Sequence, residues 1–204
     1  MKEIRNVPLS EFRAEEENGE MILEGYAAVF NQPTVLFKDL DGNEYKEVID
    51  RNAFTNTDMR KCCLKYNHES SVPVLARVRG GSLALSTDDY GLHFRAKLFN
   101  TQTGRDIYQL VKEGGIDECS FAFSINEGGD SYDKKTRTRT LNDISVLWDC
   151  SVVDHPAYEE GTNVSARAFL EAEAEKDRLE SLQAKAEAEE REHKIQILKL
   201  RLSL

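Results

Sequence analysis

The stretch Ile116 to Ile125, I-D-E-C-S-F-A-F-S-I, constrains the fold of this chain more than any other. It follows the glycine pair Gly114-Gly115 and then alternates. Cys119, Phe121, Phe123 and Ile125 fall on one side of a strand, and Ser120, Ala122 and Ser124 on the other, because successive strand side chains point to opposite faces. The first side reads as core. The second is small or polar throughout, where a surface strand ordinarily carries long charged side chains. The pattern predicts a sheet face left open for another backbone, with Ser120 a nucleophile and Ala122 and Ser124 leaving room for a peptide.

The rest of the chain reads as strands around that one. Residues 2 to 12 alternate loosely and suit an edge strand. The acidic cluster Glu15 to Asn18 with Gly19 reads as a hairpin turn, followed by a strand from Met21 to Phe30 whose Gly25 marks a bulge or barrel corner. Asp41-Gly42 is a second tight turn, and Asp50 caps a short helical turn at Arg51 to Phe54. Further strands are expected over Lys61 to Tyr66, Val72 to Val78, Leu83 to Ser86, Leu92 to Leu98 and Ile144 to Val153. Ile107, Leu110 and Val111 recur at helical spacing, so Thr103 to Glu113 is an amphipathic helix starting at Thr103 and stopping at Gly114. Gly128 to Thr138 is polar and reads as a mobile loop.

From Ser165 the composition changes. Glu171 to Glu192 is rich in Glu, Ala, Lys and Arg without Gly or Pro and reads as a solvated helix. Residues 166 to 204 hold eight Lys and Arg against nine Asp and Glu, so residues 1–165, the expected folded domain, carry nearly all of the formal net charge of -10. That acidity argues against a nucleic-acid partner. No run approaches the roughly 18 apolar residues of a membrane helix, and the first ten residues lack a signal-peptide core. A cytoplasmic chain with four reduced, buried cysteines is expected. The absence of any C-x-x-C pair argues against structural zinc, and no metal or cofactor is expected. The last ten residues, I-Q-I-L-K-L-R-L-S-L, are apolar and basic, which suits a docking peptide better than a core.

A serine hydroxyl needs a base to take its proton, and a histidine base needs a third group to hold its tautomer. His68, in Y-N-H-E, closes a strand and opens a loop, where catalytic groups tend to sit. His155, before Pro156 at a strand end, could also line a site. His93 lies mid-strand and His193 in the charged tail. In the apolar strand I-S-V-L-W-D-C-S-V-V, Asp149 shares a face with Leu147, Ser151 and Val153, and a buried carboxylate needs a partner. A histidine N–H would supply one, as would a backbone donor or an arginine such as Arg77 or Arg79. Cys119 is the rival nucleophile, but strand parity turns it toward Phe121 and Phe123 and the core.

An ordered series of motifs then matches a known family: G-Y-A-A-V-F-N from Gly25, A-F at Ala53, Y-N-H-E around His68, and G-S-L-A-L-S-T-D-D-Y-G-L-H-F-R-A from Gly81. It continues with G-R-D-I-Y-Q-L-V-K-E-G-G-I-D-E-C-S-F-A-F from Gly104 and L-W-D-C-S-V-V-D-H-P-A-Y from Leu147. Over roughly residues 20 to 165 the chain resembles the tailed-phage prohead serine proteases, distant relatives of the herpesvirus assemblins. The resemblance implies a mixed α+β, mainly antiparallel fold: a small closed β-barrel surrounded by helices, with residues 166–204 a helical tail. It places the triad at His68, Ser120 and Asp149, where relatives often carry Glu for the last. It departs at Cys119, often another apolar residue, and at Ala122, often Gly. The implied activity is a serine endopeptidase. Its oxyanion donors are not named by the motifs; the turn near Asp154 to Ala157 is one candidate, in which Pro156 has no N–H to give. Its implied substrates are scaffolding segments, the major capsid protein's extension and itself. It would act inside the assembling prohead in the host cytoplasm, as a homo-oligomer, the likeness to assemblins suggesting a dimer. The alternative is a non-catalytic assembly scaffold on the same barrel.

Overall fold

Alternating apolar residues draw most of the chain into strands. The computed structural model describes residues 2–8, 13–154 and 164–202. In chain order the strands are β1 (Glu3–Pro8), β2 (Arg13–Glu17), β3 (Glu20–Val29), β4 (Thr34–Lys38), β5 (Glu44–Ile49), β6 (Cys63–Tyr66) and β7 (Ala76–Arg77). They continue with β8 (Leu83–Thr87), β9 (Gly91–Lys97), β10 (Glu118–Ile125), β11 (Asp130–Asp133), β12 (Thr138–Leu141) and β13 (Ile144–Val153). Helix α1 (Gln102–Lys112) lies between β9 and β10, and α2 (Val164–Leu202) follows β13. The chain divides into two compact units, Met1–Val164 and Ser165–Leu204.

The strands pair in three sheets, in the orders β1-β10-β13-β6-β7, β11-β12-β5-β4 and β2-β3-β9-β8. Pairing is antiparallel except for β13 with β6 and β12 with β5. The fold is therefore mixed α+β with mostly antiparallel strands and a C-terminal helix. The expected closed barrel is not what the hydrogen bonds make, since none of the three sheets closes on itself among the described residues. Nor is there a surround of helices. In this unit the described residues hold α1 and a single 3-10 turn at Val78–Gly80.

One core joins the sheets, with Leu23, Leu92 and Phe94 from the third, Leu141 from the second, and Leu64, Phe121, Phe123 and Leu147 from the first. Phe121 and Phe123 are fully buried and stack with ring centroids 5.0 Å apart. Full burial of such a side chain stabilises by roughly 1.5–3 kcal/mol. All four cysteines are free and buried.

Several local expectations change. In β3 the pairing slips between Tyr26 and Ala28, while Gly25 stays in register opposite Phe94. Glu15 to Glu17 belong to β2, and the turn is only Asn18-Gly19, whose φ values of 52° and 78° suit a two-residue hairpin loop. The helix begins one residue early, at Gln102, because Thr101 is the cap: its Oγ1 accepts the Gly104 N–H at 3.0 Å. Gly114, with φ of 74°, turns the chain out of the helix toward β10. Of Val72 to Val78 only Ala76–Arg77 pairs as strand. The supposed loop Gly128 to Thr138 contains β11 and reaches the start of β12, which pair as a hairpin.

Between the first and second sheets lies a buried ion network. Arg5 Nη2 donates to Glu3 at 2.5 Å and to Glu47 at 2.8 Å. Arg139 donates to Glu3 at 2.9 Å, Glu47 at 3.0 Å and Asp130 at 2.6 Å. Burial alone would raise the Glu3 carboxyl pKa, but the guanidinium groups of Arg139 and Arg5 outweigh it and hold it low.

Candidate active site

Three segments meet at β10. The backbone of β13 runs antiparallel to it, with Ser151 opposite Ser120 and Asp149 opposite Ala122. β6 runs parallel on the far side of β13 and ends at Tyr66. Asn67 and His68 then both take left-handed conformations, with φ of 48° and 57°. Asn and His tolerate that region better than most residues, and two in succession turn the chain back over β13. Backbone and side-chain groups of β13 and the residue after it pin the turn. The Asn67 N–H donates to the Val152 carbonyl at 3.0 Å and its side-chain amide to Asp154 at 2.8 Å. The His68 N–H donates to Ser151 Oγ at 3.2 Å. Tyr66 OH donates to the other Asp154 oxygen at 2.5 Å, which, with burial, raises the phenol pKa above its usual value.

The imidazole of His68 therefore bridges two strands. Its Nε2 is 2.7 Å from Ser120 Oγ and its Nδ1 is 2.5 Å from Asp149 Oδ1. A carboxylate at Nδ1 favours the tautomer with the proton there, leaving Nε2 to accept from the serine. Asp149 is buried, as its apolar strand suggested, and its partners are His68, Ser151 at 3.2 Å and Lys2 at 3.0 Å rather than Arg77 or Arg79. Burial pushes the Asp149 carboxyl upward, but the hydrogen bonds and charges of His68 and Lys2 outweigh it and hold it below the usual carboxylate range.

Two contacts were not read from the sequence. Ser151 Oγ lies 3.1 Å from His68 Nδ1 as well as touching Asp149 and the His68 backbone. Its spacing two residues after Asp149 on one strand face was the available signal. Ser120 Oγ also lies 2.9 Å from the Arg5 carbonyl oxygen, a second acceptor within reach of its one proton.

The face of Ser120, Ala122 and Ser124 is not open. Ser120 and Ala122 have no exposed surface, and Ser124 Oγ accepts the Trp148 Nε1–H at 2.9 Å. A bulge explains the tryptophan. Pairing steps from Asp149 opposite Ala122 to Leu147 opposite Phe123, so Trp148 has no cross-strand partner. It projects outward at 41% exposure while Leu147 turns into the core.

The other candidates lie apart. Cys119 is fully buried and burial pushes its thiol up to about 12, which leaves almost no thiolate near neutral pH. His93 pairs with Glu24 at 3.1 Å on the third sheet. His193 is an exposed residue of α2. His155 and the Pro156-Ala157 part of the expected oxyanion turn lie outside the described residues. A cavity of about 860 Å³ beside α1 and the β2–β3 hairpin is lined by Met21, Phe99, Arg105 and Tyr108, and by none of the three bridged residues.

A serine, an imidazole and a carboxylate in hydrogen-bonded series on an α+β scaffold are the groups that acyl transfer by a serine hydrolase requires. Residues 9–176 match the family described as Caudovirus prohead serine protease, and the chain belongs to that family. The resemblance read from the motifs is thereby confirmed. Among solved structures the chain is similar to the bacteriophage T4 capsid assembly protease, gp21, with 11% identity and a TM-score of 0.38 over 76% of this chain and 97% of that one. No curated protein matches the chain.

Proposed function

We propose that the chain is a serine endopeptidase of capsid maturation in which Ser120 is the nucleophile, His68 the general base and Asp149 the group that orients His68. The observation that carries this reading is the imidazole spanning Ser120 Oγ and Asp149 Oδ1 at 2.7 and 2.5 Å. Ser120 Oγ attacks a peptide carbonyl carbon as its proton passes to His68 Nε2. Asp149 stabilises the resulting imidazolium. The proton then goes to the leaving amine, and water hydrolyses the acyl-enzyme by the same route in reverse. Ala122 and Ser124 flank the substrate path along β10.

The substrates are scaffolding segments, the major capsid protein's extension and the protease itself, cut inside the assembling prohead in the host cytoplasm, with the enzyme acting as a dimer. Membership of the prohead serine protease family supports the capsid-maturation setting. Co-expression with the capsid protein tests it. Wild type is expected to process the capsid protein and itself, and Ser120→Ala to leave both intact. Processing that survives Ser120→Ala removes the serine mechanism.

Residues 166–204 are the segment that tethers the enzyme to the shell. Leu179, Leu182, Ile195 and Ile197 of α2 are exposed, which supports a docking role. Deleting residues 170–204 is expected to abolish incorporation into proheads, scored by protease content of purified particles. Unchanged incorporation refutes the tether.

A further inference from the structure

We propose that Ser151 is a positioning residue of the same reaction, its hydroxyl holding His68 in the tautomer and orientation that Ser120 needs. This rests on reading Ser120 as the nucleophile and His68 as its base. Ser151 occupies the middle of the site. On β13 it stands opposite Ser120 of β10 on one side and Lys65 of β6 on the other. It thus lies between the strand that carries the nucleophile and the strand that ends just before His68. Asp149 precedes it by two residues, on the same face of β13. Ladders on both sides fix its backbone, a firmer reference than a loop residue provides. Ser151 has no exposed surface, so bulk water does not compete for the hydroxyl.

A count of protons makes that hydroxyl selective. A serine hydroxyl has one proton to give and two lone pairs to offer. Three groups surround Ser151 Oγ: the His68 backbone N–H at 3.2 Å, His68 Nδ1 at 3.1 Å and Asp149 Oδ1 at 3.2 Å. The backbone N–H is a fixed donor and takes one lone pair. The carboxylate of Asp149 is an acceptor only and takes the proton. Nδ1 is then left facing a lone pair, and that contact is attractive only when Nδ1 carries a proton of its own. Asp149 Oδ1, 2.5 Å from Nδ1, makes the same demand. The other tautomer sets a bare Nδ1 against both oxygens, with one hydroxyl proton to share between Nδ1 and Asp149. Two acceptors therefore specify Nδ1–H and leave Nε2 to take the Ser120 proton.

The same oxygen restrains the base through its backbone. His68 has a φ of 57°, and a residue other than glycine stays in that region only where its surroundings hold it. Ser151 Oγ holds it by the N–H. Without the hydroxyl, that N–H and one bond to Asp149 are left unmade inside the protein, and the ring loses an anchor at each end.

Removing the hydroxyl tests the proposal in the full chain, with purified capsid protein as substrate. Ser151→Ala is expected to lower kcat by about 10- to 100-fold, the worth of one or two hydrogen bonds to a charged group. KM is expected to stay unchanged, because the loss falls on the chemical step. Ser151→Thr restores a hydroxyl and is expected to recover most of the rate. Proton NMR separates positioning from a general loosening of the fold. It uses a Ser120→Ala chain with isotope-labelled histidine, and the low-field Nδ1–H signal is assigned by its loss in His68→Ala. That signal is expected to broaden on Ser151→Ala and to return with Ser151→Thr. Ser151→Cys, close in volume with only a weak S–H donor, carries the same comparison where Ser151→Ala does not fold. A kcat within about twofold of wild type, or an unaltered Nδ1–H signal, overturns the role of Ser151 and leaves the serine mechanism standing. Processing that survives Ser120→Ala, or a wild type that processes nothing, overturns both.

Discussion

At Asp149 a single carboxylate answers to the Lys2 ammonium, the His68 ring and a hydroxyl, and its protonation decides whether His68 is held. Asp149→Asn keeps the shape and removes the charge, so the amide no longer enforces the tautomer with Nδ1 protonated. The expected loss is about 10⁴-fold in kcat, with fold retained by circular dichroism. A stability signature follows from the same group. Its folded-state pKa is depressed, so it stabilises the fold above the unfolded carboxyl value of about 3.9. That contribution is lost as pH falls through the folded value. Denaturant melts of wild type and Asp149→Asn from pH 7 to pH 3 are expected to diverge at neutral pH and converge at the acid end. Asp149 was legible as a buried acid because its strand neighbours are apolar. Lys2 was not, because no local pattern ties residue 2 to residue 149.

At the scale of elements, α1 delivers the chain to β10, and its seat depends on one glycine. A Cβ on Gly104 would stand 2.1 Å from the Phe99 carbonyl oxygen, backbone that has no side-chain freedom to move aside. Gly104→Ala is therefore expected to destabilise by about 1–3 kcal/mol despite alanine's better helix propensity, read as a lower midpoint in urea. Long alternating segments such as β10 and β13 were placed closely from sequence, since period-two patterning is a local property. The β11–β12 hairpin was missed because its residues are polar and its pairing with β5 is non-local. The Trp148 bulge was missed for a related reason: parity counting assumes an unbroken ladder, and one extra residue reverses every face before it.

For the whole molecule, the buried ions between the first two sheets matter more than their number suggests. Arg139 is 3% exposed and serves Glu3, Glu47 and Asp130. Arg139→Met leaves buried acids short of a counter-charge and is expected to cost about 3–5 kcal/mol, measured by denaturant unfolding at pH 7. A melt unchanged from wild type would show that water or rearranged partners compensate. The closed barrel implied by the resemblance does not follow from the strand count. Closure depends on tilt and stagger shared by all strands, and here the hydrogen bonds leave three open sheets among the described residues.

By itself the sequence determined the strand that carries Ser120, the core side of that strand, the buried acid on β13 and the family to which the ordered motifs belong. These are encoded by neighbours within a few residues, where alternation and turn chemistry act directly. Only the tertiary structure decided that the face of Ser120 is covered, that Arg5 and His68 both contact one hydroxyl, and that Lys2 shares Asp149. Such contacts join residues more than fifty positions apart, and their distances depend on register, bulges and packing that no local stretch of chain specifies.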